Sequence, residues 1–98
     1  MFEIGRGSAG EIVLTGRLDA AQCEKALRFF DAVADPHVVD LAGLDYISSA
    51  GLGVLLKTQK RAMQAGRGLR LVNVKGHVSD IFRYAGFNKI FEIVPAVE

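Results

Sequence analysis

Two adjacent serines and two glycines, in the run Asp45-Tyr46-Ile47-Ser48-Ser49-Ala50-Gly51-Leu52-Gly53, are the residues whose types and spacing most directly suggest chemistry. They lie where a strand-like apolar run gives way to helical periodicity. A hydroxyl there stands at a helix N-terminus, among backbone N–H groups without intrahelical acceptors and beside the positive end of the macrodipole. It can cap the helix, or carry a modification whose negative charge the same groups stabilise. Ser48 or Ser49 fits the N-cap, but a capping box would want Glu or Gln three residues on, where the chain has Gly51 or Leu52. Gly51 and Gly53 each cost about 1 kcal/mol relative to alanine in a helix. Bare backbone around a serine lets another macromolecule approach, which makes Ser49 a docking and modification point. The plainer alternative is a cap followed by a close strand-to-helix crossing, and the residues alone leave both open.

Other chemistries find less support. Ser49, His77 and one of Asp40, Asp45 or Asp80 supply the residue types of a hydrolase triad, but G-x-S-x-G and any oxyanion motif are missing. His77 is expected at the start of a helix beside Gly76, solvated or capping. One cysteine and two separated histidines make no metal-ligand set. Gly5, Gly7 and Gly10 satisfy G-x-G-x-x-G, yet they lead into a strand rather than a helix, as in a hairpin connection and unlike a dinucleotide site. The chain is expected to be no enzyme and to hold no cofactor.

The positioning elements follow from periodicity. Phe2 and Ile4 start a first strand, and Glu11 to Leu18, with Ile12, Leu14 and Leu18 on one face, makes a second. Asp19 and Gln22 form a plausible capping box for a helix Ala20 to Ala34, its inward face Cys23, Ala26, Leu27, Phe30 and Val33, ended by Asp35-Pro36. His37 to Leu41 is a short strand, and Asp40 and Asp45 flank the loop to the serines. The helix from Ser49 to about Ala65 should bury Leu52, Leu55, Leu56, Ala62 and Met63, face Gly53, Lys57, Lys60 and Gln64 outward, and stop at Gly66. Leu69 to Val74, a helix Val78 to Ala85 stopped by Gly86, and Phe91 to Val94 complete the chain. Strands separated by helices must run parallel through right-handed crossovers, and the hairpin makes the first strand antiparallel. The expected architecture is one α/β domain over 1–98, with a mixed four- to five-stranded sheet, three to four helices and Ser49 at the carboxyl edge of the third strand.

Ninety-eight residues, half of them hydrophobic, suffice for one core. The net charge is +1, but Met1 to Asp45 hold eight acids and four bases, and Tyr46 to Glu98 eight bases and three acids. Lys57, Lys60, Arg61, Arg67 and Arg70 gather toward the end of the serine-led helix, where they complement its dipole and could steer an acidic partner. Without interleaved aromatic residues they do not suggest nucleic-acid binding. The single cysteine excludes an intrachain disulfide and reads as a buried thiol. No segment approaches the ~20 apolar residues that cross a bilayer, and no basic-then-apolar leader opens the chain, so a cytoplasmic protein without membrane insertion is expected.

The chain resembles the bacterial STAS-domain anti-sigma factor antagonists over nearly its whole length, at Gly16-Arg17-Leu18-Asp19, Val38-Val39-Asp40-Leu41, Tyr46 to Leu56 and Ile81 to Ile90. The resemblance implies a STAS-like fold and a phosphoacceptor at Ser49, followed by Ala50 and Gly51. Many relatives have aspartate where this chain has Ser48, which leaves Ser48 as a competing hydroxyl. It further implies a partner-contact surface of Asp19, Ser48, Ala50, Gly51, Gly53 and Lys57. The implied function is a phosphorylation-controlled partner switch in transcription regulation. The unphosphorylated domain binds an anti-sigma factor that is also a serine kinase, and so frees a sigma factor; a metal-dependent serine phosphatase resets it. ATP and Mg²⁺ would belong to the kinase. A non-phosphorylated scaffold or accessory subunit of a signalling or transport complex is the alternative, and a small ligand between the Ser49 and Asp19 loops remains open.

Overall fold

Five strands form one sheet in sequential order: β1 (Phe2–Arg6), β2 (Ile12–Leu18), β3 (Val38–Ile47), β4 (Arg70–Val74) and β5 (Glu92–Pro95). The computed structural model describes residues 1–97. β1 is antiparallel to β2, and every later neighbour is parallel. The intervening helices are α1 (Cys23–Ala32), α2 (Ser49–Gln64) and α3 (Gly76–Tyr84), with 3-10 turns at Ala20–Gln22 and Phe87–Lys89. Each crossover adds its strand in the same direction, so right-handed connections place all three helices over one face of the sheet. Burial alternates accordingly: Ile12, Leu14, Val39 and Leu71 are buried, while Val13, Thr15, Val38 and Val72 are only half-buried.

The glycine-rich segment is the hairpin connection expected of it. Gly7 N–H donates to Glu11 O (2.7 Å) and Gly10 N–H to Gly7 O (3.1 Å), with Gly10 at φ +86°. Gly5 lies within β1, opposite Val13.

Three local expectations are corrected. No capping box forms at Asp19, which makes no side-chain cap bond, because the chain first closes the 3-10 turn (Gln22 N–H to Asp19 O, 3.0 Å) and α1 begins only at Cys23. β3 continues through Ala42 to Ile47, so Asp40 and Asp45 belong to a ten-residue strand rather than to a loop. Asp40 Oδ1 accepts from Ala42 N–H (2.9 Å) and from Asn73 Nδ2 of the neighbouring strand (3.0 Å), which ties the strand where an acid would otherwise weaken it. Finally, α2 is rotated from its expected setting. Gly51, Val54, Leu55, Thr58, Gln59 and Ala62 are buried, Leu52 is half-buried, and Leu56 and Met63 are exposed.

Two polar side chains fix that rotation. Buried Gln59 accepts from Leu69 N–H (2.6 Å) and donates to Ile90 O (2.7 Å), joining α2 to the chain before β4 and β5. Arg61 donates to the carbonyls of Phe30 and Val33 at the end of α1, placing its cation at the negative pole of that helix. A helix positioned by apolar burial alone would turn Leu56 and Met63 inward. Satisfying the buried amide and carbonyls wins because an unpaired buried polar group costs about 1–3 kcal/mol.

Candidate functional site

The carboxyl ends of β2 and β3 meet where α2 starts. Ser48 N–H donates to Leu18 O (2.9 Å), extending the sheet contact one residue beyond β3. Ser48 then turns the chain with extended backbone (φ −89°, ψ 171°), and its Oγ accepts from Gly51 N–H at 3.1 Å. Of the two serines, Ser48 is therefore the N-cap. Ser49 is the first residue of α2, exposed and without a cap bond to make; Ala50 beside it is also exposed.

The glycines have different roles. Gly51 is buried, and a Cβ there would lie 2.7 Å from Ile47 Cγ1, 2.9 Å from Leu18 O and 3.0 Å from Leu18 Cγ. Its missing side chain thus serves the helix–sheet crossing, the plainer of the two readings that the sequence left open. Gly53 would meet nothing within 4 Å and leaves the helix surface bare. Lys57, about two turns from Ser49, is exposed.

Below the loop, Cys23 Sγ donates to Asp19 O (3.3 Å) and lies against the Ser48 hydroxyl. Burial first, then the neighbouring Asp19 charge, pushes its thiol above the ordinary value, against the lowering effect of Ser48. Half-buried Cys23 packs on the core edge rather than within it. Asp19 is near this cluster, with Oδ1 buried and unpaired among the described residues.

A further group emerges at the same edge. Arg17 lies over the Tyr46 ring, 4.2 Å from its centroid, and His77 stacks on Tyr46 at 5.9 Å with planes 9° apart. Positions 17, 46 and 77 carry no common local signal, so only the adjacency of β2, β3 and the start of α3 reveals this column. The triad candidates do not assemble. Among the described residues no hydrogen bond joins Ser49 to His77, Asp40 is engaged with Ala42 and Asn73, and Asp80 pairs with Arg83 (3.5 Å). Also among the described residues, no cluster of His, Cys, Asp or Glu could hold a metal ion, and no helix is long and apolar enough to cross a membrane.

The arrangement can present one exposed hydroxyl, that of Ser49, at a helix N-terminus. Comparison with known proteins gives it a setting. Residues 3–95 match the family described as "Mlab, STAS domain". A Bordetella bronchiseptica protein, BtrV, named as a candidate anti-sigma factor antagonist, is 44% identical over 61 residues, 62% of this chain and 53% of that protein; the match thus spans about half of its length. Among solved structures, an anti-sigma factor antagonist from Mycobacterium paratuberculosis superposes with a TM-score of 0.80 at 20% identity, covering 99% of this chain and 86% of that one. The antagonist SpoIIAA in its unphosphorylated form gives 0.73 at 19% identity, covering 100% and 90%. At these identities the structural likeness speaks for the fold.

Proposed function

Because the chain belongs to the STAS-domain family, we propose that it is an anti-sigma factor antagonist in which phosphorylation of Ser49 switches partner binding. Unphosphorylated, it binds an anti-sigma factor that is also a serine kinase, through the Ser49 loop and the outward side of α2, and a sigma factor is released. A metal-dependent serine phosphatase restores the bound state. The observation that carries this reading is the division of labour at the α2 N-terminus: Ser48 caps, and Ser49 is exposed with its hydroxyl uncommitted.

Electrostatics makes such a mark a switch of binding rather than of folding. A phosphate adds about −1.5 to −2 charges at neutral pH, and the free N–H groups and dipole of α2 favour that charge by up to ~2 kcal/mol. The isolated domain tolerates it. Pressed into an interface that fits a neutral hydroxyl, the same dianion costs several kcal/mol of uncompensated desolvation. A loss of ~3 kcal/mol already weakens binding about a hundredfold.

The test is intact mass with phosphosite mapping after wild type and Ser49→Ala are incubated with native-cell lysate, Mg²⁺ and ATP. One phosphate on Ser49 of the wild type, absent from the variant, is the expected result. No modification while lysate kinases are demonstrably active would favour the non-phosphorylated scaffold, and a phosphate on Ser48 would move the acceptor by one residue.

A further inference from the structure

β1 ends the sheet, and among the described residues no strand lies beyond it. Its antiparallel register with β2 decides which backbone groups are left over. Gly7 N–H donates to Glu11 O and Arg17 N–H to Met1 O, so the odd-numbered residues of this hairpin arm turn their N–H and C=O groups toward β2. Those of Phe2, Ile4 and Arg6 point the other way. Phe2 O shows it directly, because it accepts from Lys25 Nζ of α1 at 3.3 Å. Among the described residues no side chain covers the backbone of Ile4 or Arg6 in the same manner.

Beside that edge, Ile4 shares an open cleft of about 360 Å³ with Lys25, Arg28, Phe29 and Ala32 of α1. Ile4 and Phe29 are half-buried and Ala32 is exposed, so the lining is mostly apolar, completed by the stems of the two cations. A free strand edge next to a side-chain cleft is what strand addition requires: main-chain bonds supply affinity and the cleft supplies specificity. Two cations and no acid line the cleft, and Arg6 ends the strand. Lys25 pairs with Glu3 (3.6 Å) and Arg28 with Glu24 (2.9 Å), but both pairs are solvent-exposed and hold their cations weakly, so an incoming carboxylate can compete for them. We infer that the β1 edge and this cleft form a second docking surface, which takes an extended segment of a partner protein as a sixth strand, with an apolar side chain in the cleft and acidic residues flanking it.

A second copy of the chain suits the same edge poorly. The two-fold register that uses the whole strand pairs Ile4 with Ile4 and sets Arg6 of one copy opposite Phe2 of the other, where Lys25 Nζ already stands 5.9 Å from the ring centroid. Like charges then meet on both sides of the axis. The surface shares no residue with the Ser49 loop or α2, so a partner held here stays bound while the Ser49 contact is broken and remade.

The probe is a capped synthetic peptide with leucine at its centre, a glutamate two positions to each side and threonine at the positions between, titrated into the ¹⁵N-labelled full chain. Alternation puts the leucine and both glutamates on one face. Hydrogen exchange should slow at the Ile4 and Arg6 amides and not at Glu3 and Gly5, which already face β2. Affinity should fall by about tenfold in Arg28→Glu and in Ala32→Glu, both exposed positions whose variants should keep the wild-type spectrum elsewhere. Arg6→Pro, which deletes an N–H that β2 does not use, should bind about fivefold more weakly than Arg6→Ala. Ser49→Asp should bind within about twofold of wild type. The inference is overturned if Ile4 and Arg6 are not protected at the highest soluble peptide concentration, if the glutamate-to-lysine counterpart binds equally, or if Ser49→Asp abolishes binding. It is also overturned if the same two amides become protected with protein concentration alone, which would assign the edge to a second copy, or if N-acetyl-leucine binds as tightly as the peptide, which would make the cleft a small-molecule site. The titration requires no kinase, so its failure leaves the Ser49 switch standing, and absence of Ser49 phosphorylation leaves the strand-addition surface standing.

Discussion

Replacing Gly51 and Gly53 separately by alanine should have opposite consequences, although the two lie two residues apart in one helix. Both substitutions gain the same helix propensity, about 1 kcal/mol, because alanine loses less backbone freedom. At Gly53 a methyl would meet nothing within 4 Å, so the gain should appear undiminished. At Gly51 it would meet Ile47 Cγ1 at 2.7 Å, Leu18 O at 2.9 Å and Leu18 Cγ at 3.0 Å. The side-chain atoms can rotate away. The carbonyl cannot: it is held in β2 and accepts the Ser48 N–H that anchors the loop at 2.9 Å. Relief would require lifting α2 from the sheet, an overpacking cost of about 1–3 kcal/mol. The propensity term cancels between the two variants, so their difference isolates the crowding, about 2 kcal/mol. For a domain of this size each kcal/mol moves the midpoint by roughly 4–8 °C, and Gly51→Ala should melt about 8–16 °C below Gly53→Ala. Thermal unfolding followed by circular dichroism, with urea titration as a second measure, gives the comparison. Coincident midpoints, or a more stable Gly51→Ala, would refute the close-crossing role of Gly51.

The two serines should separate in the same assay. Ser48→Ala loses the cap on Gly51 N–H and about 1 kcal/mol of stability, whereas Ser49→Ala stays within about ±0.5 kcal/mol of wild type. Arg61→Met keeps the stem but leaves the carbonyls of Phe30 and Val33 without their charged donor. Urea unfolding should show a loss of about 2–3 kcal/mol, without any change in phosphate uptake by Ser49. For Cys23, the raised folded pKa means the native state holds its thiol proton more tightly than the unfolded chain. Its contribution is thus fully present below the unfolded thiol pKa, about 8.5, and is lost as pH rises through the raised folded value. Stability should decline more steeply above about pH 8.5 in wild type than in Cys23→Ser, and an unchanged slope in the variant would discount the half-buried thiol as its source.

Much of the fold was legible in short-range patterns. The alternation of Ile12, Leu14 and Leu18, the stops at Gly66 and Gly86, and the hairpin at Gly7 to Gly10 depend on neighbours within a few residues, and all appear where expected. The helix start at Ser48–Ser49 was legible too, but which serine caps was not, because both offer the same hydroxyl one residue apart. That choice is made by Leu18 O, which takes the Ser48 N–H and so sets where the strand ends. The capping box at Asp19 failed for a related reason: the pattern was present, but the link from β2 closes a 3-10 turn before the α-helix begins.

The chain's own order of residues determined a mixed sheet of four to five strands with three to four helices, its parallel connections and the presence of a serine at one helix start. Each follows from local propensity, periodicity and the handedness of crossovers. Tertiary structure alone decided which side of α2 faces the sheet, because Gln59 and Arg61 find their acceptors 31 and 28 residues away, at Ile90 and at Val33. Those bonds hold Gln59 and Arg61 in place and leave Leu56 and Met63 exposed despite their apolar character. It likewise gathered Arg17, Tyr46 and His77, and it divided two similar glycines into one buried contact and one bare surface. Hydrophobic pattern records how much of a helix must be covered; only the distant groups that must be satisfied select the face.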